Sequence, residues 1–313
     1  MSNFLDQHKT QIEWLLKGDA SIRYQTKRDL LNKSPISLRA ERERINLTGW
    51  GKRLLDLQDK SGTWANGIYN PKWISTFYTL LLLKRLNALP TDNILKACGI
   101  IFDEGFYSDG GINVSVSIKH SDVCVTGMFL STICHFGIRD SRIPKMIEYL
   151  LSKRMIDGGW NCSIYIGAVH GSFHTTISVL EGLWEYKRSK FAIQSTEIEK
   201  AQTDGIDFLL KHKLYKSDKT GRIIKNDFTK FSFPPRWKYD VLRGLDFFQE
   251  IQFEKDDRLK DAIDLLISKQ TKEGFWKLQN KHTGKVFFEL EKVGEPSRWN
   301  TLRALRVLKW WSS

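Results

Sequence analysis

An all-α ring of six helical hairpins, an (α/α)6 toroid, is the fold this 313-residue sequence predicts. Three observations carry that expectation. A Gly-rich turn ending in Trp recurs at Gly62-Thr63-Trp64, Gly158-Gly159-Trp160 and Gly274-Phe275-Trp276. Each turn follows an amphipathic stretch and precedes one that is apolar nearly all round, as in Thr79-Leu80-Leu81-Leu82-Leu83, the contrast expected between an outer and an inner helix. The pattern fills residues 39–313 as five repeats and leaves 1–38 as one further hairpin, so the whole of 1–313 reads as a single domain. Six hairpins can close on themselves, which removes the exposed ends that an open array must cap.

The elements follow in order. The first hairpin pairs helices near 4–17 and 21–33, with Asp19 or Ser21 as the N-cap. Outer helices fall near 40–58, 91–105, 141–154, 197–212 and 256–270, and inner helices near 73–88, 122–137, 173–187, 237–250 and 298–311. Gly ends each outer helix because it takes positive φ at little cost. A weaker copy of the turn is Asp109-Gly110-Gly111-Ile112, with Ile in place of Trp. The longer connection at 217–235 reads as a lid or rim loop.

Composition narrows the function classes. Hydrophobic residues make up 41% and charged residues 27% of the chain, a globular mixture. The net charge of +13 suits either an anionic partner or a well-solvated basic surface. Lys and Arg are dispersed, and no Arg-rich tail, zinc finger or RNA-binding signature occurs, so nucleic acid is not the expected partner. Cys98, Cys124, Cys134 and Cys162 match neither a CxxC metal pattern nor a secreted disulfide framework. With no evident signal peptide, the expectation is a reduced, cytoplasmic protein, with peripheral membrane contact left open.

In two of the three turns a Gln stands six residues before the Trp, Gln58 before Trp64 and Gln270 before Trp276, and Arg154 takes that place before Trp160. These turns resemble the QW repeats of the squalene and hopene cyclase superfamily, over nearly the whole chain. The resemblance implies the toroid and an apolar cavity for isoprenoid-like ligands, and it assigns Trp64, Trp160 and Trp276 to packing. The Asp-x-Asp-Asp acid of that superfamily's protonating cyclases is missing. Glu254-Lys255-Asp256-Asp257 is the nearest string, so protonation-initiated cyclisation is not expected.

A sharper resemblance lies at two inner-helix starts. Lys119-His120-Ser121-Asp122-Val123-Cys124 and Gly171-Ser172-Phe173-His174-Thr175 are similar to stretches of the protein prenyltransferase beta subunit, especially the Rab geranylgeranyltransferase type. The resemblance implies a zinc site of Asp122, Cys124 and His174, which would also be the catalytic residues, with Lys119 facing a diphosphate. It also raises the question of a second subunit. Val116 and Val125 stand where that pattern has Arg and Tyr.

The ligand chemistry agrees with this reading. Zinc takes thiolate, imidazole and carboxylate, and a catalytic site keeps one position open, where a substrate thiol can be bound and its pKa lowered. Cys124 and His174 lie 50 residues apart, at equivalent stations of adjacent inner helices. His120 and His170 share that spacing and are candidate substitutes or supporting partners, and Cys162 is a further thiol. At the same end, Arg236, Trp237, Tyr239 and Asp240 open the fourth inner helix, and Arg298 and Trp299 open the fifth. These are candidates for gripping an anionic head group and for lining the cavity. The leading expectation is a zinc-containing toroid that binds, and in a prenyltransferase-like or terpenoid-processing enzyme transforms, an isoprenoid ligand. The alternatives are a non-catalytic apolar-ligand carrier or protein-binding scaffold on the same fold, and a zinc-dependent hydrolase.

Overall fold

The computed structural model describes residues 4–115 and 117–313; Val116, read above against the Arg of the prenyltransferase pattern, lies outside the described residues. The first hairpin consists of α1 (Phe4–Gln7) and α2 (Lys9–Leu16), then α3 (Ala20–Gln25), which continues as a π-helical turn over Thr26–Leu30. Asp19, not Ser21, is the N-cap of α3: its carboxylate accepts from Ser21 N at 2.9 Å.

The expected outer helix at 40–58 is two helices, α4 (Pro35–Leu47) and α5 (Gly49–Asp56). The break sits at Gly49, whose φ is +62°, and the Asp19 carboxylate reaches across to accept from Trp50 N at 2.9 Å. Four hairpins follow the expected order. They are α6 (Thr76–Arg85) with α7 (Asp92–Gly105), α8 (Val123–His135) with α9 (Ile143–Ser152), α10 (Phe173–Arg188) with α11 (Thr196–Lys211), and α12 (Val241–Glu250) with α13 (Lys260–Ser268). The last inner helix is α14 (Arg298–Ser312). It packs on the first hairpin, where Lys309 Nζ donates to the Asp29 and Leu30 carbonyls at 2.9 Å each, and Gln11 Nε2 donates to Glu273 O at 2.8 Å. The hairpins therefore close into an all-α toroid.

The Trp turns do the same structural job three times. Trp64, Trp160 and Trp276 are each fully buried. Each indole N–H donates to the carbonyl ten residues back, near the end of the preceding outer helix: Leu54 and Leu150 at 2.7 Å, Leu266 at 2.8 Å. Each Trp backbone N–H donates to a Thr hydroxyl in the following inner helix, Thr76, Thr176 or Thr301. The turn thus satisfies a helix-end carbonyl and fixes the next helix in one step. Gly62, Gly110, Gly158 and Gly274 hold equivalent positions with φ between +86° and +95°. At Gly158 a Cβ would also sit 2.5 Å from Asp204 O.

Inner helices run parallel and touch closely. Gly127 of α8 and Gly182 of α10 face each other, and a Cβ on Gly182 would lie 2.5 Å from Gly127 O. The insertion at 217–235 is not a free lid: Phe228, Phe231 and Phe233 anchor it in the core. A second long connection, 277–297, crosses the amino-terminal ends of the inner helices. It is held by Trp73 N to Lys285 O (2.8 Å) and by the Trp73 indole to Thr283 O (3.0 Å). Among the described residues, no helix is long and apolar enough to cross a membrane.

Candidate metal centre at the first turn of an inner helix

The centre grows from the N-cap of α8. Asp122 Oδ1 accepts from Val125 N at 3.0 Å, the ordinary capping bond. The same oxygen accepts from the Cys162 thiol at 3.2 Å. Cys162 sits two residues beyond the turn Trp160, in the loop before α10, where its N–H donates to the Thr175 hydroxyl at 3.3 Å. Its sulfur accepts from Cys124 N at 3.3 Å. Ligand atoms of Asp122, Cys124 and Cys162 all lie within 4.8 Å of one another. Hydrogen bonding with Cys162, burial and the neighbouring Asp122 hold the Cys124 thiol well above the ordinary thiol range. The Cys124 thiol is thereby favoured over its thiolate, and Asp122 accepts a hydrogen bond from the Cys162 thiol.

Aromatic rings lie close by. Tyr69 and Tyr78 share a 2.8 Å hydroxyl–hydroxyl bond, and Tyr78 meets Trp73 edge-on at 4.7 Å between centroids. Burial first, then the charges of Cys124, Asp122 and Cys162, raises Tyr69. Arg236, which is buried, lies over the Trp73 ring at 5.5 Å. A mixed cleft of about 40 Å³ beside it is walled by Leu82, Phe233 and Phe287 and by Lys281, Glu289 and Glu291 of the 277–297 connection.

His174, expected beside Asp122 and Cys124, lies outside their cluster, which Cys162 joins. His174 Nδ1 accepts from Tyr239 N at 2.8 Å, and its ring packs edge-on against Trp237 and Phe228. Burial, with the charges of Lys225, Arg243 and Lys238, pushes it down to about 3. The reason is geometric. Equivalent stations on successive inner helices are related by the rotation of the ring, so each points toward its own next neighbour. Cys124 turns toward the third repeat, and His174 turns toward the fourth.

The other expected residues divide by surroundings. His120 stacks on Tyr165 at 3.5 Å, and His170 is exposed, 3.8 Å from Asp157; neither joins the cluster. Lys119 lies on the exposed loop before α8. Tyr239 donates to Leu214 O at 2.7 Å, and Asp240 caps α12 at Arg243 N (2.8 Å). Arg298 lies over the Trp14 ring of the first hairpin at 4.2 Å, and Trp299 stacks on Phe233 at 4.1 Å.

At the opposite end of the inner helices the ring forms a half-open cavity of about 680 Å³. Its lining is charged, not the apolar wall expected from the sequence. Lys84 and Arg85 of α6, Glu181 and Glu185 of α10, and Asp246 of α12 face it. The charges sit in the second halves of α6 and α10 and along α12 and α14, where Arg243, Asp246, Arg303 and Arg306 lie.

No protein-family model matches the chain, and no curated protein sequence matches it. Among solved structures, the chain is similar to a protein from Actinoplanes at 12% identity and a TM-score of 0.51, over 99% of this chain and 100% of that one. That likeness is one of fold. Lower scores relate it to the type II terpene cyclase MstE from Scytonema, with 12% identity, a TM-score of 0.34 and 97% and 98% coverage. A variant of MstE in complex with the product merosterolic acid A gives 12% identity, a TM-score of 0.32 and 98% and 97% coverage.

Proposed function

We propose that the chain is a zinc-binding toroid whose metal end acts on an apolar, isoprenoid-like chain carrying an anionic group. One observation carries the reading: a carboxylate and a thiol at one helix start and a second thiol from the following loop have their ligand atoms within 4.8 Å of one another. Two sulfurs and one oxygen form a donor set that zinc favours over harder cations. Three protein ligands are the number found in catalytic rather than structural zinc sites, and bound zinc would supply a Lewis acid with one open position.

The chain's own residues support the rest of the reading. Asp122 is held in place by its capping bond, so it presents its second oxygen without further ordering. Thr175 orients Cys162 through both the backbone N–H and the sulfur, each at 3.3 Å. Tyr69, Tyr78 and Trp73 offer ring faces and edges to an apolar chain or a developing cation. Arg236 offers a buried guanidinium to an anionic group. An extended apolar ligand would have to displace the 277–297 connection, because the cleft beneath it is small.

Metal content tests the proposal. Tag-free protein reconstituted with zinc and passed through a desalting column should retain about one zinc per chain. Cys124→Ser and Cys162→Ser should lose it, and His174→Ala should keep it. Absence of stoichiometric zinc in the parent chain, or equal loss in His174→Ala and Cys162→Ser, would overturn the assignment. Mass spectrometry of a lipid extract from the same preparation tests the apolar ligand: a co-purifying isoprenoid supports it, and a preparation free of lipid after exposure to membranes counts against it.

A further inference from the structure

The charged cavity is distinct from the metal centre. Its side chains come from the first hairpin, the last turns of α6 and α8, the second half of α10, and both halves of α12 and α14, whereas the metal cluster lies at the first turn of α8. Eight Lys or Arg side chains line the cavity against five Asp or Glu, a surplus of three positive charges.

The pairing geometry shows where that surplus resides. Three carboxylates are shared among five guanidinium groups. Glu181 takes both Arg243, through a two-pronged contact at 2.8 and 2.9 Å, and Arg85 at 3.1 Å. Asp246 takes Arg303 at 3.1 Å and also Arg306, and Arg306 extends to Asp29, which already holds Arg28. Arg243 and Arg303 are almost wholly buried, 1% and 3% exposed, so bulk water screens them little. Arg85 Nε has no hydrogen-bond partner among the described residues. Burial, with Arg243 and Arg303 alongside, pulls the Arg85 guanidinium below its ordinary range. A cluster of under-neutralised, largely buried arginines at the base of a half-open cleft concentrates positive potential there.

We propose that this cavity is a binding site for a small phosphate-bearing molecule. Guanidinium forks match phosphate oxygens two at a time, which point-charge lysines do not. One phosphate monoester carries about −1.5 to −2 charges at neutral pH, so two phosphoryl groups come close to balancing the surplus. The volume of about 680 Å³ falls within the range of small-molecule sites. Tyr24, Trp184 and Phe247, also in the lining, provide rings for the uncharged part of such a molecule.

Isothermal titration of the full chain with inorganic pyrophosphate at low ionic strength tests the site. The parent chain should bind it with an affinity that falls as salt rises. Arg85→Met should weaken binding about tenfold or more, because it removes a charged donor while Arg243 still holds Glu181. Arg188→Met changes a half-exposed residue at the rim, so folding is preserved even if Arg85→Met fails to fold, and it should also weaken binding. Cys124→Ser should lose zinc and retain pyrophosphate affinity, which separates this site from the metal reading. Lack of pyrophosphate binding in the parent, unchanged affinity in both arginine variants, or loss of pyrophosphate binding in Cys124→Ser would overturn the proposal.

Discussion

Replacing Trp160 with Phe deletes one indole N–H from the wall of the toroid and leaves most of the apolar contact in place. In the parent, that N–H reaches Leu150 O at 2.7 Å from a side chain with no solvent exposure. After the change, Leu150 O keeps only the long 3.3 Å contact from Lys153 N. Loss of the hydrogen bond should cost about 1 kcal/mol. The smaller ring leaves a void worth about 1–2 kcal/mol. The expected total is about 2–3 kcal/mol, read from urea unfolding midpoints at constant slope. Trp299→Phe provides the control. Trp299 is just as deeply buried, but its indole N–H has no partner among the described residues, so the hydrogen-bond part of the cost is missing. Trp299→Phe should therefore cost about 1 kcal/mol less than Trp160→Phe. Trp64→Phe and Trp276→Phe should match Trp160→Phe, since their bonds to Leu54 O and Leu266 O repeat the geometry. Equal costs at Trp160 and Trp299, or a Trp160→Phe cost below about 0.5 kcal/mol, would refute the view that the repeated bond, and not apolar bulk alone, fixes these turns.

Three further outcomes are expected. Glu181→Gln should destabilise the fold by about 3–5 kcal/mol in denaturant titrations, because it strips the counter-charge from the buried Arg243; a cost under about 1 kcal/mol would contradict the shared-carboxylate picture. Stability should fall with acid over a histidine window. Burial pushes His135 and His174 down to about 3 and His282 to about 4, from an ordinary value of 6.5. The unfolded chain then binds more protons below pH 6.5, so the stabilisation is complete above that pH and is lost as pH falls toward 3–4. Urea midpoints should drop between pH 7.5 and 5, and the slope should be shallower in His174→Gln; an unchanged slope counts against a neutral, buried His174. Zinc affinity should rise with pH, by up to roughly a hundredfold per unit while both thiols are protonated, as chelator competition at pH 6.5 and 7.5 would record. A pH-independent affinity would mean that the thiols are not the ligands.

Much of the fold is legible in the sequence because each hairpin repeats the same local solution. Gly at positive φ, Trp over the end of the outer helix and Thr at the start of the inner helix form one unit, and the eye finds the copies at Trp64, Trp160 and Trp276. The split between α4 and α5 is not legible, since it depends on Asp19, a residue thirty positions earlier, reaching Trp50 N. The candidate site was half legible. Asp122 and Cys124 follow from a helix start, but the third member of the cluster depends on the direction in which side chains leave the ring. Equal spacing between Cys124 and His174 suggested convergence, whereas rotational equivalence sends them to different neighbours and brings in Cys162 from the intervening loop. The charged cavity is not legible, because Glu181, Asp246 and Arg303 stand as scattered charges in helices whose pattern is otherwise largely apolar. Only the parallel packing of the inner helices turns them toward one another.

X-ray absorption at the zinc edge of the reconstituted chain tests the central claim most directly, because it counts sulfur ligands. Two sulfurs at about 2.3 Å, falling to one in Cys162→Ser, is the predicted result. A single sulfur accompanied by an imidazole nitrogen that disappears in His174→Ala would contradict it.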